Sequence, residues 1–224
     1  MNIVVGHLYY DLMNLYGDNG NIKVLKYNLE KQGINVTIKK LSLDDKIDFN
    51  KLDMIYMGSG TEENRKIVLN DILKYKNNIN KFYKDNKFLL ITGNSLSLFG
   101  NYIIDKDGNK KDALQLFNFY TKEEKERDVK EVNVHCTFLK DNLLGFINKQ
   151  DNMYKNDKIL EYGIYKNNFY GTYILGPILA RNPEFTQYFI TNLIKAKDKD
   201  FIFKDFNTSL DEEAYLDYIA FKNS

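Results

Sequence analysis

The chain carries few side chains that could act as a nucleophile or a general base. It has one cysteine, Cys136, and two histidines, His7 and His135. A thiol attacks a carbonyl carbon efficiently when a neighbouring imidazole takes its proton. Cys136 and His135 are adjacent in an alternating run that predicts a strand, and neighbouring strand residues point to opposite faces. We therefore interpret Cys136 as a half-buried strand residue rather than half of a Cys–His dyad.

The second possible pair of nucleophile and base is a hydroxyl activated by an imidazole. Ser95 lies in the turn Thr92-Gly93-Asn94-Ser95, which ends the most apolar predicted strand, and His7 follows the first strand. A Ser–His or Thr–His pair at this place would suit a hydrolase. No acidic residue is identified that would orient the imidazole, which argues against this alternative.

A short glycine-rich loop, Gly58-Ser59-Gly60, follows another apolar strand. The backbone N–H groups of such loops bind phosphate or a developing oxyanion. Because the loop lacks the lysine of a Walker motif, it is a weak indication of a phosphate site. A loop that binds an oxyanion or an amide is the other interpretation.

Composition limits the kinds of protein this chain can be. The 224 residues include 32 Lys and Arg against 31 Asp and Glu, a net charge of +1, whereas nucleic-acid-binding domains are usually strongly basic. No apolar run approaches the roughly 20 residues of a membrane span, and no signal-type segment opens the chain. One cysteine allows no internal disulfide. One cysteine and two histidines are also too few of the usual ligands for a zinc site. We expect a cytoplasmic protein that binds neither nucleic acid nor metal.

The elements that must position these residues begin with an alternation of strands and helices. Over the first hundred residues, four apolar segments, near residues 2–5, 34–41, 53–57 and 87–91, are interspersed with helical patterns. The alternation predicts a parallel sheet with helical crossovers, in which ligands bind beyond the carboxyl ends of the strands. Those ends are the Gly58 loop and the Thr92 turn, so we expect any chemistry there.

The second half of the chain is predicted to contain consecutive strands and two closing helices. The strands are Val129–Phe138, Gly145–Asn148, Ile159–Tyr165 and Phe169–Ile174, and the helices are Pro183–Ala196 and Leu210–Phe221. Neither a linker nor an internal repeat divides the chain, so residues 1–224 are predicted to form one domain.

Three blocks of residues resemble a known family. They are His7-Leu8-Tyr9 with Asp11–Asp18 and Gly20-Asn21-Ile22, the loop Gly58-Ser59-Gly60-Thr61, and Gly171-Thr172-Tyr173 with Gly176-Pro177 and Asn182-Pro183. In this order they resemble the CobB/CobQ-like class I glutamine amidotransferases, and more narrowly the GatD subunits of lipid II isoglutaminyl synthase.

The resemblance implies a flavodoxin-like α/β fold with a central, mostly parallel sheet flanked by helices. It also implies hydrolysis of glutamine and delivery of ammonia to a synthetase partner. For GatD subunits that partner is MurT, a Mur-ligase-like protein that amidates the D-glutamate of lipid II with ATP. The subunit itself is expected to need no cofactor.

The residues that should perform the hydrolysis are absent from the matching positions. Counting from the strand places Thr92 at the family's nucleophilic cysteine, and counting back from Gly100 places Gly93 there. Leu175 stands where the family has its catalytic histidine. Lys149 likewise falls in a stretch where the family has a histidine. We expect the Thr92–Ser95 turn to face the Gly58 loop and Leu175.

The resemblance also implies a set of substrate-binding positions. They comprise the loop Gly58, Ser59 and Gly60, the turn Gly93, Asn94 and Ser95, and Arg127. Arg127 falls near the sequence position at which relatives have an arginine that holds the glutamine carboxylate. It also lies within the charged run Lys122–Lys130, for which a solvated turn is the simpler interpretation.

Three functions remain open on this basis. The first is a GatD-like subunit whose own glutaminase site is degenerate and which serves a MurT-like ligase. The second is an active subunit of a divergent subfamily that uses Thr92 or Ser95 as its nucleophile. The third is a stand-alone protein that binds glutamine or a related small molecule in the old glutamine pocket. A flavin-binding function is disfavoured because the family resemblance already accounts for the loops.

Overall fold

The computed structural model describes residues 1–205 and 209–223 of the chain. The helices are α1 (Asn19–Lys31), α2 (Glu62–Ile72), α3 (Lys76–Lys84), α4 (Ile178–Arg181), α5 (Pro183–Lys195) and α6 (Ser209–Asn223). The strands are β1 (Asn2–Leu8), β2 (Asn35–Leu41), β3 (Met54–Met57), β4 (Phe88–Thr92), β5 (Tyr102–Ile104), β6 (Lys110–Asp112), β7 (Tyr120–Val134), β8 (Leu143–Lys155), β9 (Lys158–Leu160), β10 (Gly163–Lys166) and β11 (Phe169–Thr172).

The central sheet has six strands in the order β10-β11-β4-β3-β1-β2. All neighbours are parallel except the β10–β11 pair, so the predicted parallel sheet is confirmed. Every residue of β3 and β4 is buried, because helices cover both faces of a parallel sheet. The two strands place the loops that follow them, Gly58–Thr61 and the turn from Gly93, side by side.

Two hydrophobic cores hold the helices against this sheet. One lies on the side of α2 and α3, and the other on the side of α1 and α5. Alternate residues of β4 serve the two cores: Leu89 and Ile91 belong to the first, and Phe88 and Leu90 to the second. The apolar character of the strand therefore follows from packing on both faces.

A second, five-stranded sheet has the order β6-β5-β7-β8-β9 and is built around the long β7–β8 hairpin. The interpretation of Lys122–Lys130 as a solvated turn is wrong, because these residues lie within β7. The pairing of β7 with β8 shifts register between Glu123 and Asp128, so the segment bulges rather than turns. Most charged residues of this strand are exposed, and Glu123, the buried one, forms an ion pair with Arg65.

The closing helices occupy the predicted places. Helix α5 agrees with the predicted Pro183–Ala196, with proline in its first turn where the missing N–H costs nothing. Helix α6 covers the predicted Leu210–Phe221. Among the described residues, none of the helices combines the length and the apolar character that crossing a membrane requires.

Candidate functional site

The expected crevice lies where β3, β4 and β11 end, because these three strands are neighbours in the sheet. Gly93 follows β4 directly and has a φ of +65°, which reverses the chain sharply. A Cβ atom at Gly93 would overlap the side chain of Ser59 and lie 2.9 Å from Cδ2 of Leu175. The turn after β4, the glycine-rich loop and Leu175 are therefore in contact, as the matching of the motifs requires.

Side chains of the turn fix the glycine-rich loop. Asn94 accepts a hydrogen bond from the Gly60 N–H (3.0 Å) and donates one to the Gly60 carbonyl (2.7 Å). Ser95 donates its hydroxyl proton to the Gly58 carbonyl. The Ser59 N–H donates to the Asp18 carboxylate. Two N–H groups that an oxyanion site would need, those of Ser59 and Gly60, thus already have acceptors.

Asp18 is the centre of a fully buried polar cluster beneath the turn. Its carboxylate accepts from the Thr92 hydroxyl (3.2 Å), and Tyr56 donates to the Asp18 carbonyl (3.0 Å). The Tyr56 and Thr92 hydroxyl oxygens are 3.3 Å apart, and Asn21 donates to Tyr56 (3.0 Å). Burial raises the pKa of Asp18 to about 7, although hydrogen bonds from Ser59, Thr92 and Tyr56 oppose the shift.

The N-terminal motif contained Asp18, but its sequence context gave it no chemical role. Its partners are 41 and 74 residues away in the chain, at Ser59 and Thr92. Only the meeting of three strand ends brings these groups together. The one available signal was the position of Asp18 between Gly17 and Gly20, in a polar loop that precedes α1.

Leu175 places an apolar side chain against the turn after β4. The residue is buried, and its backbone pairs with that of Phe146, with the Leu175 N–H 2.8 Å from the Phe146 carbonyl oxygen. Gly176, with a φ of +85°, turns the chain immediately afterwards. The backbone around position 175 is therefore tightly held, and its side chain carries no group that can accept a proton.

The other candidate groups do not assemble at the turn. His7 packs against the Tyr56 ring, with 5.1 Å between ring centroids, and its buried Nε2 has no hydrogen-bond partner. Burial, together with Lys40, lowers the pKa of His7 to about 4. Because Ser95 donates to Gly58, the Ser95–His7 pair is not formed. Cys136 is buried, and burial raises the pKa of its thiol to about 11.

Arg127 lies on the bulge of β7, beside the start of α2. Its guanidinium donates to Glu62 (2.5 Å), Asn148 (3.0 Å) and Gln150 (3.2 Å). Glu62 follows Thr61, whose hydroxyl caps α2 by accepting from the Asn64 N–H. Arg127 is thus near the glycine-rich loop, but its contacts hold β7 and β8 against α2 rather than reaching the turn.

A buried cluster of ion pairs, which sequence reasoning missed, contacts the segment after the turn at Ser97. Arg65 of α2 forms ion pairs with Glu123 and with Asp151 (2.8 Å), and it donates to the Ser97 hydroxyl (3.3 Å). Tyr173 donates to Asp151 (3.1 Å). Burial raises the pKa of Asp151, and the charge of Arg65 opposes that shift. The sequence did not indicate a buried role for Arg65, because its acidic partners belong to β7 and β8 of the second sheet.

The fold and the arrangement of these loops define the glutamine amidotransferase class of α/β domains. Residues 4–183 match the CobB/CobQ-like glutamine amidotransferase domain, and the chain belongs to this family.

Two curated relatives cover most of the chain. The GatD subunit of the glutamine-hydrolysing lipid II isoglutaminyl synthase of Streptococcus pneumoniae is 29% identical over 210 residues, which are 86% of this chain and 81% of that protein. The subunit of the same name from Staphylococcus aureus is 25% identical over 227 residues, covering 95% of this chain and 93% of that protein.

Proposed function

We propose that this chain is a GatD-type subunit that has kept the amidotransferase fold but does not itself hydrolyse glutamine. In this proposal it associates with a MurT-like Mur ligase, which amidates the D-glutamate of lipid II with ATP. Its role is then to hold or stabilise the ligase rather than to supply ammonia.

The observation that carries the proposal is the contact between Gly93 and Leu175. A nucleophile elbow places its reactive residue on a strained turn directly after a strand. Gly93 has that conformation, and a Cβ atom there would overlap Ser59 and lie 2.9 Å from Cδ2 of Leu175. Thr92, in contrast, is the last residue of β4 and has extended backbone angles. The backbone therefore favours Gly93 over Thr92 as the nucleophile position, with Leu175 at the position of the base.

The surrounding polar groups support the same conclusion. An oxyanion site needs donors that are unoccupied before the reaction begins. The Ser59 and Gly60 N–H groups instead bind Asp18 and Asn94. The side chain of Ser59 and that of Leu175 fill the space in front of Gly93. The turn therefore lacks both the usual nucleophile and unoccupied donors that would stabilise an oxyanion.

One observation favours the active alternative. The Thr92 hydroxyl is 3.2 Å from the Asp18 carboxylate, and the pKa of Asp18, about 7, suits a general base near neutral pH. Thr92 is fully buried, however, so glutamine would reach it only after the turn opened. Ser95 is the weaker nucleophile candidate because its hydroxyl is bound to Gly58.

The experiment uses the chain co-expressed with a MurT-like ligase, with lipid II amidation measured from either ammonium or glutamine. The proposal predicts that the two proteins purify together and that amidation proceeds from ammonium but not from glutamine. The matched comparison replaces this chain with the Streptococcus pneumoniae relative and its own ligase. Amidation from glutamine that Thr92→Ala abolishes would establish the active alternative. Failure of the two proteins to associate would refute the proposed partnership.

A further inference from the structure

A groove of about 780 Å³ separates the C-terminal helix α6 from the body of the protein. Helices α1, α4 and α5 form one side of it, and α6 forms the other. Its apolar lining includes Val24, Leu179 and Pro183 from the body, and Tyr215 and Leu216 from α6. The volume is in the range of sites that bind small molecules or extended peptide segments.

The charges of this groove are strongly one-sided. Two lysines, Lys23 and Lys140, face five carboxylates, which are Asp141, Glu184, Asp205, Asp211 and Glu212. The whole chain, in contrast, carries a net charge of +1. A negative potential is therefore concentrated at this groove, and it complements a positively charged occupant.

Two of the residues that line the groove are exposed and largely apolar. Leu216 of α6 is 63% exposed. Tyr27, which lines the groove from α1, is 52% exposed. Single exposed apolar residues are ordinary, but Leu216 and Tyr27 face one groove whose lining also includes Leu179 and Pro183, so they extend its apolar surface.

We propose that the groove between α6 and the body is a docking site for a segment of the ligase subunit in which apolar side chains are flanked by Lys or Arg. This inference rests on the proposed function for the identity of the partner. The apolar residues of the segment would pack on Leu179, Pro183 and Leu216, and its cations would meet the carboxylates. Interfaces of this composition combine an apolar centre with charged edges that accelerate association.

The test measures the dissociation constant of the purified chain for the ligase. Charge reversal by Asp205→Lys together with Asp211→Lys is expected to weaken binding roughly tenfold or more at low salt. At about 0.5 M salt the difference is expected to shrink, because salt screens exposed charges. Leu216→Ser is expected to weaken binding to a similar extent at both salt concentrations.

Two matched variants make the same chemical changes away from the groove. Asp107→Lys together with Asp112→Lys reverses two exposed charges, and Ile159→Ser alters an apolar residue of β9 that is 54% exposed. Both are expected to change the dissociation constant by less than about twofold. Thermal unfolding of every variant verifies that it remains folded.

The failures can be distinguished. If the wild-type chain does not bind the ligase, the proposed function fails and the docking inference fails with it. If the wild-type chain binds but the groove variants behave like the two controls, the docking inference alone is overturned. A concentration-dependent dimer that the charge reversals dissolve would assign the groove to a second copy of the chain, and it would also overturn the inference.

Discussion

Gly93→Ala is expected to destabilise the protein for two separable reasons. The first is backbone strain: a φ of +65° costs a residue with a Cβ atom about 1 kcal/mol or more. The second is overpacking, because the added methyl group would overlap the side chain of Ser59 and approach Leu175. Overpacking a buried site costs about 1 to 3 kcal/mol. The sum predicts a loss of about 2 to 4 kcal/mol in the free energy of unfolding, measured by urea denaturation.

Gly108→Ala is the matched control for this prediction. Gly108 has a φ of +84°, but a Cβ atom there would meet no other atom within 4 Å. It should therefore show the strain contribution alone, about 1 kcal/mol. Adding Ser59→Gly to Gly93→Ala should recover part of the overpacking loss. If Gly93→Ala and Gly108→Ala lose equal stability, the close contact between Gly93 and Ser59 does not exist, and the reasoning about this turn is refuted.

Two further predictions concern the buried charges. Arg65→Met leaves Glu123 and Asp151 buried without their cation, and it should cost about 3 to 5 kcal/mol of unfolding free energy in urea denaturation. Adding Asp151→Asn should restore part of that loss, whereas an equal loss in Lys66→Met, whose ion pair is at the surface, would contradict the reasoning. For Asp18, the pKa is raised from 3.8 to about 7 on folding, so the folded state binds the extra proton and stability falls as pH rises between these values, by up to about 4 kcal/mol. Asp18→Asn should remove this dependence of stability on pH, as measured by urea midpoints across that pH range. His7 contributes a dependence of opposite sign, which cancels when variant and wild type are compared. An unchanged pH dependence in Asp18→Asn would contradict the prediction.

The sequence predicted the elements that depend on local pattern. Strands β3 and β4 are wholly apolar because both of their faces are covered, and the glycines after them identified the turns. The contact of Leu175 with the turn after β4 followed from matching family motifs, which carry information about distant positions. The local pattern of apolar and polar residues does not indicate which distant positions are in contact.

The parts that sequence reasoning missed depend on partners distant in the chain. The charged run in β7 was interpreted as a turn because its composition is typical of solvated segments. Glu123 is instead buried and forms an ion pair with Arg65, which is 58 residues away in the chain. The role of Asp18 likewise depends on Thr92, 74 residues away. Burial of a charge follows from tertiary contacts, so local composition cannot predict it.

The proposal that the turn after β4 lacks a working nucleophile and base is tested most directly by measuring glutamine hydrolysis. The measurement is the release of glutamate from glutamine by the purified complex of this chain with its ligase, compared with the same complex carrying Thr92→Ala. We predict that both complexes release glutamate at the rate of the solution without protein. Release well above that rate by the wild-type complex, and its loss in Thr92→Ala or Ser95→Ala, would contradict the account.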